Sequence, residues 1–225
     1  MSDLPVLESA VLKPKSGPVK QLVVLLHGVG ADANDLIGLA PMLQEYLPNA
    51  QFSSPNAPFE YDMAPFGRQW FSLADRSPEA LLAGVETAAP ILDQYLDDQL
   101  AMLGLDDSKL AIFSFSQGTM TALYTMFRRA KPCAGIAGFS GAMIGGEYLA
   151  EEATAKPPVA LIHGNMDDVV PFAAMAMAEE YLQESDIEVR TCTAENVGHG
   201  IDPAGMLFAG KFLQEKFGIA SSEAA

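Results

Sequence analysis

Short, nearly continuous apolar runs alternate along the chain with longer segments whose apolar residues recur every three or four positions. The first run, QLVVLL at 21–26, has no polar face and ends at a His-Gly pair, which predicts a buried strand entering a turn. Further runs predict strands at 51–54, 109–115, 134–140, 159–163 and 187–193.

The segments with helical spacing predict helices at 35–47, 78–103, 117–130, 171–184 and 203–217. Asn34 or Asp35 is the expected N-cap of the first helix, and Ser77 followed by Pro78 starts the second. Strands that alternate with helices indicate βαβ units. We therefore expect an α/β fold with a mostly parallel central sheet, helices on both faces, and a functional site at the carboxyl ends of the strands.

One segment, residues 56–75, does not fit this alternation. It is rich in proline and aromatic residues, and a loop of this length inside a compact domain is usually functional. We expect it to form the walls of a substrate groove, with Trp70, Met63 and Phe66 as candidate substrate-binding residues.

Length and composition limit the class of protein. The chain has 225 residues, 49% of them hydrophobic, so it can bury a core without disulfide bonds. We expect a single domain over residues 1–225, with a frayed tail at 220–225. The two cysteines, Cys133 and Cys192, exclude a disulfide framework and a four-cysteine zinc site.

The charge is strongly acidic, with 29 Asp and Glu against 13 Lys and Arg and a net charge of −16. Such a surface repels phosphate backbones, so nucleic acid is not an expected partner. Stable membrane insertion is not expected either, since no run of about 18 apolar residues occurs. The amino-terminal residues lack a basic and apolar leader pattern, which predicts a cytoplasmic protein. The acidic surface serves either solubility or adaptation to salt, and the second interpretation predicts tolerance of molar sodium chloride.

Ser116 is the candidate nucleophile. It lies in Ser114-Phe115-Ser116-Gln117-Gly118, directly after a predicted strand and directly before a predicted helix. This context is typical of the nucleophile elbow G-x-S-x-G, although Ser114 replaces the first glycine. Ser140, in a Gly-Phe-Ser-Gly-Ala sequence, matches the same pattern but is followed by a glycine-rich loop, so we favour Ser116.

A serine hydroxyl needs a base, and the chain has three histidines. Only His199, in a glycine-rich loop before the last helix, leaves room for a strand-end acid between itself and the serine, in the order Ser, Asp, His. His27 and His163 are expected to anchor turns by hydrogen bonds. The acid should follow the strand at 159–163, where spacing alone leaves Asp167 and Asp168 as alternatives.

Several short motifs, each weak alone, together make the chain similar to the phospholipase/carboxylesterase family of α/β-hydrolases, which includes the acyl-protein thioesterases. They are LLHGVGAD at 25–32, PNAP at 55–58, GRQWF at 67–71, SFSQG at 114–118, FSG at 139–141, HGNMDDVVP at 163–171 and GH at 198–199. The resemblance spans residues 25–217 and implies Asp167 as the acid. It also implies that the backbone N–H groups of Val29 and Gln117 form the oxyanion hole.

The resemblance implies a serine carboxylesterase that uses Ser116, His199 and Asp167, with no metal and no organic cofactor. No separate lid domain is expected, so we predict a shallow groove, a small-molecule ester substrate and a preference for short acyl chains. A thioesterase acting on acylated proteins or acyl-CoA and a lysophospholipase remain alternatives. An amidase, a dienelactone-type hydrolase and a non-catalytic binding relative are disfavoured. Relatives occur as monomers and dimers, so either a monomer or a homodimer is expected.

Overall fold

The computed structural model describes residues 4–220. Its strands are β1 (Ser9–Leu12), β2 (Gln21–Leu26), β3 (Ala50–Pro55), β4 (Phe59–Glu60), β5 (Arg68–Gln69), β6 (Leu110–Phe115), β7 (Gly135–Phe139), β8 (Val159–Gly164) and β9 (Val189–Ala194). Its α-helices are α1 (Ala33–Ile37), α2 (Ala40–Leu43), α3 (Pro78–Leu103), α4 (Gln117–Arg128), α5 (Leu149–Glu152), α6 (Ala173–Glu184) and α7 (Pro203–Lys216). The tail predicted to fray lies, from residue 221 onward, outside the described residues.

Seven strands form one sheet in the order β1-β3-β2-β6-β7-β8-β9. Every neighbouring pair is parallel except β1 with β3. Alternate residues of β2 enter two separate apolar cores: Leu22 and Val24 pack with α3, α4 and α6, whereas Val23 and Leu25 pack with α1, α2 and α7. Helices on both faces explain why the strand has no polar side, and the predicted α/β-hydrolase fold is confirmed.

Some predicted elements differ in the structure. The helix expected at 35–47 is two short helices, because Pro41 has no N–H to donate and its ring crowds the carbonyl of the preceding turn. The N-cap is Asp32, whose carboxylate accepts the N–H of Asn34 at 2.7 Å, and not Asn34 or Asp35. Strand β1 was not predicted, and the 56–75 segment contains the small hairpin β4–β5.

Other boundaries agree with the sequence pattern. Ser77 caps α3, its hydroxyl accepting the N–H of Ala80, and the helix runs uninterrupted to Leu103. Arg129 follows α4 and binds Asp97 at 2.7 Å and Asp107 at 2.8 Å. These ion pairs connect the end of α4 to α3 and to the segment before β6. Among residues 4–220, no helix is both long and apolar enough to cross a bilayer.

Candidate active site

Ser116 occupies a strained turn between β6 and α4. Its backbone has φ 53° and ψ −119°, a conformation that costs a residue with a side chain roughly 1–3 kcal/mol. The helix that follows the turn approaches the neighbouring strand β2 closely: a Cβ added to Gly118 would lie 2.1 Å from the carbonyl oxygen of Leu26. Glycine is therefore required at position 118.

The hydroxyl of Ser116 contacts a histidine ring, and the other nitrogen of that ring contacts a carboxylate. Nε2 of His199 lies 3.0 Å from Ser116 Oγ, and Nδ1 of His199 lies 2.8 Å from Asp167 Oδ2. A carboxylate accepts hydrogen bonds, so Nδ1 carries the proton and Nε2 is free to accept from the serine. The ring of Phe115 packs against the His199 ring at 4.8 Å between centroids, a contact that the sequence did not indicate.

The acid that contacts His199 is Asp167, whereas Asp168 is exposed to solvent. Asp167 Oδ1 accepts the N–H groups of Val169 and Val170, each at 2.9 Å. Burial alone would raise the pKa of this carboxyl, but the hydrogen bonds from His199, Val170 and Val169 outweigh burial and hold the pKa below its usual range. Asp167 is thus a fixed anion beside the imidazole.

The two candidate oxyanion donors lie in the turns that follow two neighbouring parallel strands, β2 and β6. Gln117 is the first residue of α4, and Val29 lies in the turn after β2. Among residues 4–220, no protein acceptor binds the backbone N–H of Val29 or of Gln117. Both groups are therefore available to a ligand, and a helix start favours negative charge.

The turn that contains Val29 is held by the β4–β5 hairpin. The N–H of Gly30 donates to Arg68 O at 2.8 Å, and the N–H of Arg68 donates to Ala31 O at 2.8 Å. The backbones approach so closely that a Cβ on Gly67 would lie 2.1 Å from Gly30 O. The hairpin therefore holds the two residues that directly follow Val29.

The side chain of Gln117 joins the elbow to the same hairpin region. Its Oε1 accepts the backbone N–H of Trp70 at 2.9 Å, and its Nε2 donates to Phe71 O at 2.7 Å. The sequence indicates a role only for the backbone N–H of Gln117 and none for its side chain. The buried amide braces the 56–75 segment against the start of α4.

Of the predicted substrate-binding residues, Trp70 requires a correction. Its side chain is 0% exposed, and the indole N–H donates to His27 O at 2.9 Å, so it offers no surface to an open groove. A large aromatic ring stabilises a fold when it is buried. Trp70 therefore packs beneath the turn after β2 and does not line a groove. Met63 and Phe66 are each 74% exposed, on the hairpin loop.

The other two histidines anchor turns, as predicted. His27 Nε2 accepts the N–H of Ala57 at 3.0 Å, so Nδ1 carries the proton and donates to Gly28 O at 2.7 Å. Burial lowers the pKa of His27 and keeps the ring neutral. His163 Nε2 lies 3.0 Å from Val170 O. Within the described part of the chain, no three His, Cys, Asp or Glu side chains lie close enough together to hold a metal ion.

A strained serine between a parallel strand and a helix, with a histidine at its hydroxyl, places the molecule in the α/β-hydrolase class, whose members share this turn. The chain belongs to the phospholipase/carboxylesterase family, whose model matches residues 7–217. Together with its relatives, this membership makes the protein a carboxylic ester hydrolase.

Three relatives illustrate the range of similarity. The chain is 27% identical over 199 residues to the esterase YpfH of Escherichia coli (strain K12), covering 88% of this chain and 84% of the relative. It is 26% identical over 222 residues to acyl-protein thioesterase 1 of Schizosaccharomyces pombe, covering 94% and 97% of the two chains. The crystal structure of esterase PE8 superposes with a TM-score of 0.89 at 42% identity, covering 93% of this chain and 98% of that chain.

Proposed function

We propose that this protein is a serine carboxylesterase in which Ser116 is the nucleophile, His199 the general base and Asp167 the acid that orients the base. The observation that carries the proposal is the continuous contact from Ser116 Oγ through the His199 ring to Asp167 Oδ2, over 3.0 Å and 2.8 Å. A triad is recognised by this geometry and by these roles.

The reaction proceeds through an acyl-enzyme. His199 Nε2 takes the proton of Ser116 as Oγ attacks the acyl carbonyl, and Asp167 stabilises the imidazolium that results. The imidazolium then protonates the alcohol oxygen as the ester C–O bond breaks. Water, activated by the same histidine, attacks the acyl-enzyme, releases the acid and returns the proton to Ser116.

The N–H groups of Val29 and Gln117 stabilise the oxyanion in both steps. Their positions are set before substrate arrives, by the β4–β5 hairpin on one side and by the start of α4 on the other. Preorganised donors of this kind contribute roughly 3–4 kcal/mol each to transition-state stabilisation.

A covalent label tests the nucleophile directly. A p-nitrophenyl alkylphosphonate should inactivate the enzyme with stoichiometric release of p-nitrophenol. Trypsin cleaves after Lys109 and Arg128, so the peptide carrying Ser116 separates from the peptide carrying Ser140, and fragmentation distinguishes Ser114 from Ser116. An adduct on Ser140, or turnover that survives complete labelling, would overturn the assignment.

The substrates that we propose are small esters with short acyl chains. Exposed apolar side chains lie in loops at the carboxyl edge of the sheet: Met63 and Phe66, and Met166 and Val169 beside Asp167. Among residues 4–220, no inserted domain covers them. An open apolar rim of this kind gives a short chain contact but cannot enclose a long one.

Chain length and a matched pair of methionines test the substrate proposal. We expect kcat/KM for p-nitrophenyl esters to fall from butyryl to palmitoyl. Met63→Ala should raise KM for the butyryl ester, whereas Met102→Ala should not, because Met102 is also 74% exposed but lies near the end of α3, at the opposite edge of the sheet. A higher kcat/KM for palmitoyl esters would contradict the proposal.

A thioesterase activity is the second candidate, favoured by the similarity to acyl-protein thioesterase 1 of Schizosaccharomyces pombe, and a lysophospholipase is a third. The net charge of −16 opposes binding of the phosphates of acyl-CoA. We therefore expect butyryl-N-acetylcysteamine to react faster than butyryl-CoA, with a ratio that shrinks in about 0.5 M sodium chloride as charges are screened. A preference for butyryl-CoA at low salt would contradict this reasoning.

A further inference from the structure

The side chain of Gln117 connects the helix after the nucleophile to the 56–75 segment at two points. Its Oε1 accepts the N–H of Trp70 at 2.9 Å, and its Nε2 donates to Phe71 O at 2.7 Å. Among residues 4–220, these two are the hydrogen bonds that join this segment to α4. Gln117 is 1% exposed, so each of these groups would be left unpaired and buried without the amide.

The same segment holds the turn that contains Val29 from both ends. Before Val29, the indole N–H of Trp70 donates to His27 O at 2.9 Å. After Val29, the N–H of Gly30 donates to Arg68 O at 2.8 Å. Val29 lies between these two bonds, so the position of its turn depends on the position of the segment that Gln117 holds.

The sheet itself does not join the two turns that carry the candidate oxyanion donors. The pairing of β2 with β6 ends at Leu26 and Ser114, before either turn begins. Among residues 4–220, no main-chain hydrogen bond joins the two turns beyond these strands. The connection between the N–H of Val29 and the N–H of Gln117 therefore passes through the Gln117 side chain and the segment that it holds.

We propose that the side chain of Gln117 is a positioning group that sets the turn of Val29 relative to the start of α4, so that both N–H groups stabilise one oxyanion. This inference rests on the proposed function, in which these two donors bind the tetrahedral intermediate. The backbone of Gln117 supplies one donor, and its side chain positions the other. Displacement of a catalytic group by about 1 Å costs roughly 100-fold in rate, so the two donors must be held together closely.

Gln117→Met tests the side chain alone, because methionine has a similar length, no amide, and the same backbone N–H. We expect kcat for p-nitrophenyl butyrate to fall roughly 10- to 100-fold, with KM close to the wild-type value. The p-nitrophenol released by the alkylphosphonate counts the active sites, so kcat refers to competent enzyme alone.

A transition-state analogue gives a readout that general destabilisation would not change. The Ser116 hydroxyl adds to the carbonyl of butyl trifluoromethyl ketone, His199 takes the proton, and the adduct carries an oxyanion. The inhibition constant for this ketone should rise in Gln117→Met by about the factor by which kcat/KM falls, because both quantities report oxyanion stabilisation.

The matched control is a second buried glutamine outside the site. Gln44 is 9% exposed, and its Nε2 donates to Lys13 O at 2.7 Å, so Gln44→Met removes the same kind of hydrogen bond. It should lower the melting temperature but leave kcat and the inhibition constant unchanged. Trp70→Phe removes the bond to His27 O and should produce the Gln117→Met pattern with a smaller loss, which keeps the test available if Gln117→Met does not fold.

Three results would overturn the proposal: a wild-type kcat in folded Gln117→Met, a lowered kcat with an unchanged inhibition constant for the ketone, or an equal loss of kcat in Gln44→Met. A wild-type kcat and inhibition constant in Trp70→Phe would overturn the route through the turn and with it the proposal. If the alkylphosphonate failed to label Ser116 in the wild-type enzyme, the proposed function itself would be wrong.

Discussion

The turns at Ser116 and Ser140 follow neighbouring parallel strands, β6 and β7, and both serines have left-handed backbones, with φ of 53° and 46°. In both, the serine N–H donates to a carbonyl at the end of the next strand: Ser116 to Phe139 O at 2.9 Å, and Ser140 to Ile162 O at 2.8 Å. The two backbones are alike up to the serine. They differ after it, since α4 starts directly after Ser116 whereas a glycine-rich loop comes after Ser140.

The hydroxyls differ as well. Ser116, 6% exposed, reaches His199, whereas the Oγ of Ser140, 1% exposed, has no partner among the described residues. We therefore expect a strained serine at a strand end to be insufficient for catalysis. The helix start and the histidine distinguish the two sites.

The glycines around Ser140 have a packing role. A Cβ on Gly138 would lie 2.6 Å from Thr119 Cγ2, and one on Gly141 would lie 2.5 Å from Thr119 Cβ. Thr119, on α4, fills the space beside the Ser140 turn and donates its hydroxyl to Phe139 O at 3.0 Å. The pattern that makes Ser140 resemble a nucleophile elbow thus arises from the close approach of α4.

The same threonine accommodates Ser114, where the elbow pattern has glycine. Thr119 Oγ1 lies 3.1 Å from the hydroxyl of Ser114, which itself donates to Ala137 O at 3.5 Å. Ser114 is completely buried and satisfied. The departure at this position does not open the turn.

The largest expected difference between the two turns is in catalysis. Ser116→Ala should lower kcat for p-nitrophenyl butyrate by roughly 10⁴-fold or more, because triad members act as a unit. Ser140→Ala should leave kcat/KM close to the wild-type value. Initial rates of the two purified variants decide the matter, and an inactive Ser140→Ala beside an active Ser116→Ala would exchange their roles.

A second pair of residues, Asp167 and Asp168, should differ almost as much in the effect of their substitution on kcat. Asp167→Asn should lower kcat by roughly 10³- to 10⁴-fold, whereas the exposed Asp168→Asn should be nearly neutral. The pKa of Asp167 is lowered on folding, so its ionised carboxylate contributes to the free energy of unfolding. That contribution is present above the unfolded pKa of about 3.9 and is lost as pH falls through the folded pKa.

Melting temperatures between about pH 7 and pH 3 measure that contribution. The loss of stability on acidification should be smaller in Asp167→Asn than in wild type, and unchanged in Asp168→Asn. An equal change in both variants would mean that the Asp167 carboxylate is not the group responsible.

Stability should distinguish the glycines of the two turns. Gly138→Ala should lower the free energy of unfolding by about 1–3 kcal/mol through its clash with Thr119 Cγ2, and Thr119→Ser should recover part of that loss by removing the methyl group. Gly118→Ala clashes with the main-chain oxygen of Leu26, so no side-chain change should rescue it. Denaturant unfolding of the single and double variants gives these values, and additive losses at 138 and 119 would contradict the packing explanation.

The smallest effect concerns strain. Ser140→Gly should stabilise the protein by about 1 kcal/mol, because glycine adopts a positive φ readily and the buried hydroxyl is removed. Ser116→Gly should also gain stability but should abolish turnover. A thermal melt of each variant beside its activity tests this, and a loss of activity in Ser140→Gly would assign that turn a catalytic role.

Much of the fold can be predicted from the sequence alone, because hydrophobic periodicity and the order of residues along the chain are properties of the sequence itself. The all-apolar run at 21–26 predicted a strand buried on both faces, and two separate cores enclose it. The order of Ser116 and His199 along the chain, and the helix directly after the serine, favour this pair without any distance.

Other features depend on contacts between residues far apart in the chain. The sequence pattern left Asp167 and Asp168 open, and only the fold brings one carboxylate to His199, across 32 residues. Trp70 looks like a groove residue in the sequence, but its exposure depends on the packing of the hairpin over His27. The sequence predicts a turn anchor at His163, and only the folded loop brings the acceptor, Val170 O, to 3.0 Å from its Nε2. Periodicity reports which face of an element is buried, whereas the direction of a buried polar atom is decided only by the partners that the tertiary structure brings to it.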